Sequence, residues 1–291
     1  MANLKLRRTE NVNGDFYVDS SCIDCDTCRW MNPEVFYRVD EQSAVYHQPT
    51  NEKERLAALQ ALLACPTSSI GTVEKPQDIK NAQQSFPILV EENVYHCGYH
   101  SKKSYAAASY FIQHPEGNIL VDSPRFTSPL VKRLEEMGGI RYMYLTHRDD
   151  IADHQKFAEH FQCQRILHAD DISADTRNVE IQLTGLEPFT LTEDILIIPV
   201  PGHSKGHTVL LYKNKFLFTG DHLAWSENLH QLNAFRDFCW YSWTEQIKSM
   251  RKLANYSFEW VLPGHGRRFH ADVETMQQQM HKCIELMEAV K

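Results

Sequence analysis

Apolar residues follow one another in two different rhythms along this chain, and the change comes near residue 86. Before it, "TNEKERLAALQALLAC" sets Leu56, Leu59 and Leu63 at helical spacing, which predicts one helix with a single apolar stripe. Thr50 or Asn51 can cap that helix, Glu52 and Glu54 suit its first turn, and Pro66 prevents it from running past Cys65. Residues 76–85 carry little apolar pattern and read as a linker. Beyond them, "PILVEENVYH", "YAAASYFIQ" and "NILVDS" predict strands, with "HPEGN" turning between the last two. "SPLVKRLEEMGG" predicts a helix stopped by Gly138 and Gly139, and "RYMYLT" a buried strand. "HQKFAEHF", "RILHA", "ILIIPV", "TVLLY" and "KFLFTG" continue the alternation. "EQIKSMRKLAN", "EWVLPG" and "DVETMQQQMHKCIELMEAV" finish it as helix, strand, helix. Alternation on this scale predicts an α/β architecture with sheets covered by helices.

Composition narrows the class. The 291 residues suffice for one large and one small domain, and 42% hydrophobic with 23% charged content is globular. The formal net charge is −8, and residues 1–84 hold 9 Lys and Arg against 12 Asp and Glu, so neither part is basic. That excludes the usual nucleic-acid-binding face. No apolar run is long enough to cross a membrane, and "MANLKLRRTE" has no apolar core behind its basic residues. The expectation is a soluble cytoplasmic protein with neither nucleic acid nor membrane as partner. Its 8 cysteines then need a purpose other than disulfides, because a reducing compartment keeps thiols free.

Cys22, Cys25 and Cys28 stand at regular intervals in "CIDCDTC", and Cys65 precedes Pro66 in "ACPTSSIG". A tight loop giving three thiolates and a distant turn giving a fourth suits an iron–sulfur cluster. A structural zinc site is the alternative, although zinc prefers separated Cys pairs. Residues 13–75 resemble the single-cluster ferredoxins of the 4Fe-4S type: "VDSSCIDCDTCRWMNPEVF" looks like their cluster loop and "ACPTSSI" like their fourth-ligand turn. The resemblance implies a small α+β ferredoxin-like domain over residues 1–75, with Cys22, Cys25, Cys28 and Cys65 holding a 4Fe-4S cluster. Cys97, Cys163, Cys239 and Cys283 are isolated and read as ordinary buried thiols.

Several predicted strands end in a residue able to bind a metal: His147 after "YLT", His203 in "IIPVPGHSKGHT", Asp221 in "FLFTGD" and His265 in "WVLPGHG". Nitrogen and oxygen donors of this kind suit zinc, manganese and iron, and strand ends hold them rigidly beside open loops. These residues resemble the metallo-β-lactamase superfamily. There a strand leads into H-x-H-x-D-H, and later ligands lie in PGH, GD and GH turns. His203, Asp221 and His265 match the later three, and Asp122 in "ILVDS" matches a supporting aspartate that is not a ligand. The resemblance implies an αββα sandwich over residues 86–291, with metals at one edge.

The opening motif, "THRDDIADH", departs from the pattern. His147 fits its first histidine, Asp149 stands where the second belongs, and Asp153 with His154 fits its end only if two residues are inserted. The expected arrangement is one metal on His147, Asp149 and His203, and a second on Asp153, His154 and His265, with Asp221 between them. Asp150 is the alternative to Asp149. The carboxylate favours iron or manganese over zinc. His207 is read as supporting the site, and His222 is left open.

The function these residues predict is hydrolysis by a metal-activated hydroxide, with one or two divalent metals (Fe, Zn or Mn), and with Asp153 and Asp221 orienting the nucleophile and accepting its proton. The expected substrate is small and anionic, bound by Lys205, Arg267 and Arg268 beside the ligand turns, with Trp225, Trp240 and Trp243 as candidate cleft walls. The alternative is an oxidoreductase in which the cluster passes electrons to a di-iron centre, which brings in a redox partner protein. A third reading has the cluster structural or redox-sensing. Neither the substrate nor the oligomeric state is fixed by the sequence.

Overall fold

The computed structural model describes residues 2–290. The chain forms two compact units: one runs to Gln113 and includes Pro124–Gly139, and the other comprises His114–Ser123 with Ile140 onward. The division by compactness and the change of rhythm at residue 86 measure different things, since strands Ile88–Glu91, Val94–His96 and Tyr110–Ile112 belong to the first unit.

In the first unit, strand Phe16–Val18 pairs antiparallel with Ile70–Thr72, and Phe36–Val39 forms a hairpin with Gln42–Val45. The expected helix is present as Glu52–Ala64, capped by the Asn51 side chain, which accepts from the Glu54 N–H at 3.0 Å. Its buried face keeps two members of the expected leucine stripe, with Leu59 buried and Leu63 packed against the same core. Ala58, Leu59, Ala61 and Ala64 turn inward, while Leu56 is exposed. The helix packs beside the short helix Thr27–Met31, and small side chains permit that close approach. The expected linker contains a helix of its own, Ile79–Gln84, with Ala82 buried in the same core. The expected strand over "YAAASYFIQ" shrinks to Tyr110–Ile112, because Tyr105 and Ala106 take left-handed backbone. Gly138 and Gly139 end helix Ser128–Glu136 as expected.

Most strands of the second unit fall into two sheets. Strands Ile119–Val121, Tyr142–Tyr144, Gln164–His168 and Ile181–Leu183 run parallel in that order. A six-stranded sheet joins Phe189–Thr192, Ile195–Pro199, Thr208–Tyr212, Phe216–Gly220, Trp260–Pro263 and Phe269–His270. Thr208–Tyr212 and Phe216–Gly220 are buried at every position, as strands covered on both faces should be. Helices Trp243–Leu253 and Val273–Ala289 cover the outer face through Leu217, Val261, Met250, Met276 and Met280. The two sheets meet where the Tyr144 hydroxyl lies 2.8 Å from Thr208 Oγ1 and the Thr208 N–H donates to the Thr146 carbonyl at 2.9 Å. His147 and His207 adjoin that seam in sequence. Among the described residues, no helix is long and apolar enough to cross a membrane.

Leu217 is fully buried between the six-stranded sheet and its helices. Leu217→Ala should destabilise the fold by about 2–5 kcal/mol, read as a lower urea midpoint at unchanged slope.

Candidate metal and cluster sites

The metal candidates converge in the second unit. His147 Nε2 lies 3.7 Å from Asp221 Oδ2 and 3.9 Å from Asp149 Oδ2. His203 Nε2 lies 3.6 Å from the same Asp149 oxygen and 3.8 Å from the same Asp221 oxygen. The donor atoms of His147, Asp149 and His203 lie within 4.8 Å of one another, and one Asp221 oxygen lies within 3.8 Å of both imidazoles. Four donors at bond lengths near 2.1 Å around one cation stand roughly 3.4 Å apart, so these spacings need only a small contraction. Both Nε2 atoms are buried without a hydrogen-bond partner. Such an atom is costly unless something binds it.

The tautomer of His147 fits the same purpose. Its Nδ1 lies 3.0 Å from Thr146 Oγ1, and that hydroxyl is in turn 3.0 Å from Asp122 Oδ1. With Nδ1–H donating to Thr146 and Thr146 donating to Asp122, the Nε2 lone pair is free for a cation. Asp122 thus takes the supporting place expected of it. Burial pushes its carboxyl up to about 7, against the donors of Thr146. Burial also brings His147 down to about 4, which keeps that imidazole neutral and able to coordinate.

Two glycines allow the close approach. Gly220 has φ +49°, and a Cβ there would lie 2.5 Å from Thr146 Oγ1. A Cβ on Gly264 would lie 2.5 Å from Asp150 Oδ2 and 3.0 Å from Asp221 Oδ1. Side chains at these positions would displace the turns that present Asp221 and His265.

Asp150 occupies part of the place that the sequence reading gave to Asp153. Buried to 1% exposure, it forms a potential ligand group with His147 and Asp221. Neither of its carboxylate oxygens has a hydrogen-bond partner. Burial, followed by the nearby Asp221 charge, pushes its carboxyl well above the ordinary range. His265 lies on the opposite oxygen of Asp221, with Nδ1 2.7 Å from Oδ1. Burial alone would raise the Asp221 carboxyl, but the imidazoles of His265, His147 and His203 outweigh it and hold it well below the ordinary range. Asp149 is also held low, first by its interaction with His203.

Asp153 and His154 do not join this cluster, contrary to the expected second ligand set. Asp153 is the residue before helix His154–Phe161, and its carboxylate pairs with Lys156 at 3.1 Å. His154 opens that helix, and its Nδ1 lies 3.2 Å from the Arg165 guanidinium. A helix starts there, and among the described residues neither falls in a group of metal-binding donors with His147. Of the expected substrate cations, Lys205 pairs with Asp170 at 2.9 Å and Arg267 with Glu227 at 3.0 Å, and Arg268 has interactions of its own. The first two charges are already balanced, which weakens the case for them as anion receptors. His207, identified from sequence only as a supporting residue, accepts the Asp221 N–H at Nε2 at 3.3 Å and so braces the turn that carries Asp221. His222 is fully buried beside it, with ring centroids 5.6 Å apart.

The fold resembles known ones. A metallo-β-lactamase named DIM-1 superposes with a TM-score of 0.54 at 18% identity, over 70% of this chain and 96% of that one. This is the metallo-β-lactamase fold. The B3 metallo-β-lactamase BLEG-1 superposes at 0.52 and 18% identity over 67% of this chain and 99% of that one, and a metallo-β-lactamase from Pontibacter korlensis at 0.50 and 14% over 69% and 97%. Such identities establish the fold alone. Residues 18–72 match the 4Fe-4S single cluster domain of Ferredoxin I. No curated protein matches the sequence.

In the first unit Cys22, Cys25, Cys28 and Cys65 line one small cavity. Asp24 and Asp26 curl the loop through left-handed backbone at φ 56° and 63°, and Arg29 clamps both carboxylates at 2.6 and 2.5 Å. The N–H of Ser43 points at Cys22 Sγ at 3.4 Å and that of Ser69 at Cys65 Sγ at 3.3 Å. The hydroxyls of Thr27 and Ser43 lie 3.4 and 3.2 Å from the sulfurs of Cys25 and Cys28. Backbone N–H groups aimed at two of the sulfurs, with hydroxyls beside the other two, suit thiolates. Burial pushes the Cys25 thiol up to about 11 and Cys28 well above the ordinary range, so thiolates there need a metal's positive charge. The residues present fit a 4Fe-4S cluster.

His203→Ala and Asp221→Ala should each lose the metal bound in addition to cluster iron, whereas His154→Ala should retain it. Elemental analysis of protein purified without oxygen reads all three, and retention in His203→Ala would refute the ligand set.

Proposed function

We propose that this protein is a metal-dependent hydrolase of a small molecule, with a 4Fe-4S cluster domain on the same chain. The observation that carries the reading is the convergence of two partnerless, buried imidazole nitrogens with the carboxylates of Asp149 and Asp221. A divalent cation held there would lower the pKa of water and polarise a carbonyl or phosphoryl oxygen. His147, His203, Asp149 and Asp221 would hold that cation, and Asp150 with His265 extends the site on the far side of Asp221. Asp149, with a side chain 48% exposed, marks the open side where substrate enters. Asp150 takes the place of Asp153 as the screened carboxyl beside the attacking water, and accepts a proton only in its ionised form. Asp221 orients that water with its remaining lone pairs. Two histidines and two carboxylates make a hard donor set, and iron or manganese suits it better than zinc.

A second reading has a specific observation behind it. The same chain carries four cysteines around one small cavity, two of whose sulfurs accept from backbone N–H groups, and a hydrolase needs no electrons. In that reading the cluster passes electrons to iron held by His147, Asp149, His203 and Asp221, and the protein is an oxidoreductase.

Two measurements separate the readings. Removing the second metal with a chelator should abolish hydrolysis of generic ester and thioester substrates, and manganese or iron should restore it. Cys25→Ser should remove the cluster's broad visible absorption yet keep hydrolysis within about twofold. Hydrolysis that vanishes with the cluster, in a variant that keeps its circular dichroism and its second metal, would sink the hydrolase reading.

A further inference from the structure

Between Asp221 and helix Trp243–Leu253 the chain makes an excursion that begins at one metal-binding residue and returns to another. It leaves through the hairpin Ala224–Ser226 and Gln231–Asn233 and comes back against the PGH turn. There the N–H groups of Trp240 and Tyr241 both donate to the His203 carbonyl, at 2.9 and 3.1 Å. The Ser242 N–H and the Cys239 thiol both bond to the Gly202 carbonyl, at 3.0 and 3.2 Å. The buried Gln246 amide donates to the carbonyls of His222 and Ala234, at 3.1 and 3.3 Å, and so pins the strap near its start and middle. The backbone is fixed at several points.

Its large side chains are nevertheless left in solvent. Phe238 and Trp240 are each 59% exposed and Tyr241 is 49% exposed. Phe238 and Trp240 pack edge to face with centroids 6.2 Å apart, and the Trp240 ring lies 6.3 Å from the imidazole of His203. The other two tryptophans of the segment differ. Trp225 stacks on Phe269 at 4.4 Å and Trp243 packs against the helical core, so neither offers a free face. An apolar pair held out of the core on an immobilised backbone, one ring from a metal ligand, is a surface built for contact.

We propose that Trp240, supported edge-on by Phe238 and flanked by Tyr241, is the platform that holds the non-reacting part of the substrate. The ligand class it selects is a molecule with a flat apolar or aromatic group beside an anionic or carbonyl oxygen that reaches the cation. The inference rests on the metal site described above and goes beyond it, because the platform and not a cationic side chain then sets substrate preference. The His203 carbonyl carries the platform, so its position is fixed relative to the metal-binding nitrogen of the same residue. Flat groups gain from stacking on indole, and small polar ligands do not.

The test uses the full chain loaded with manganese and calorimetric binding of two carboxylates, 2-naphthoate and acetate. Wild type should bind 2-naphthoate at least about tenfold more tightly than acetate, in line with one stacked ring system. Trp240→Ala should lose most of that preference with acetate affinity and metal content unchanged, and Trp240→Phe should restore much of it. Equal affinities for the two ligands in wild type, or an undiminished preference in a Phe238→Ala/Trp240→Ala variant, would overturn the proposal. So would a wild-type dimer that falls apart on Trp240→Ala while naphthoate preference persists, since the rings would then serve a second copy. Naphthoate preference lost in Trp240→Ala, in a protein that hydrolyses no ester or thioester, would support the platform and count against the hydrolase reading alone.

Discussion

Two imidazole nitrogens with nothing of the protein to bond to are the constraint on which the larger site depends. Nε2 of His147 and Nε2 of His203 are both buried, and leaving one such polar atom unpaired costs about 1–3 kcal/mol. The chain goes to some trouble to keep them so. Asp122 and Thr146 occupy the opposite nitrogen of His147, which fixes the ring and directs its free lone pair inward. His147 and His203 meet edge to face at 87°, so the two lone pairs converge without either ring blocking the other. Each local choice follows from that convergence: glycine at position 220, a hydroxyl at 146, a strand ending at each ligand. Remove the cation and the same choices are a set of uncompensated costs.

Much of this could be read before the coordinates. Ligands at the ends of apolar runs announce themselves, because a buried strand that stops at His or Asp has no packing reason to stop there. His147, His203 and Asp221 were found that way, and the cysteine loop by its spacing. What spacing could not resolve was "RDDIADH". Three aspartates and one histidine follow His147 there, and two of the four had to point elsewhere. The deciding event is local: a helix begins at His154, so Asp153 becomes the residue before its first turn and pairs with Lys156, while His154 faces Arg165. A helix of eight residues gives a weak apolar signal, and "HQKFAEHF" was legible only as part of an alternation. The leucine stripe of helix Glu52–Ala64 gave the inner face only in part. Periodicity reports which residues are large, whereas close packing beside another helix selects small ones, and Ala58, Ala61 and Ala64 share the inner face with Leu59.

The two prosthetic sites are built on opposite principles. The cysteine loop is short, strained through two left-handed aspartates and held by arginine, so its sulfurs are positioned by local geometry. The larger site takes its ligands from strand ends spread over more than seventy residues, and only the completed sheets bring them together. A site of the first kind can form early around its metal; one of the second kind is a product of the whole fold. The soft donors of the first suit an iron–sulfur cluster, and the mixed imidazole and carboxylate donors of the second suit a harder divalent ion.

That difference bears on what the larger site does. A carboxylate in place of an imidazole raises the negative charge around the cation, and charge donated by ligands makes the cation a weaker Lewis acid. Asp149, Asp150 and Asp221 together carry more than a single divalent ion would neutralise if all three were ionised. Asp150 resolves this by the direction of its shift: screened from solvent and beside Asp221, it resists ionisation. Asp149 is partly open to water, and Asp221 is surrounded by imidazoles, so these two remain charged at modest cost. A divalent cation there would balance the charges of Asp149 and Asp221, and the acidic stretch that departs from the sequence pattern supplies both Asp149 and the screened Asp150.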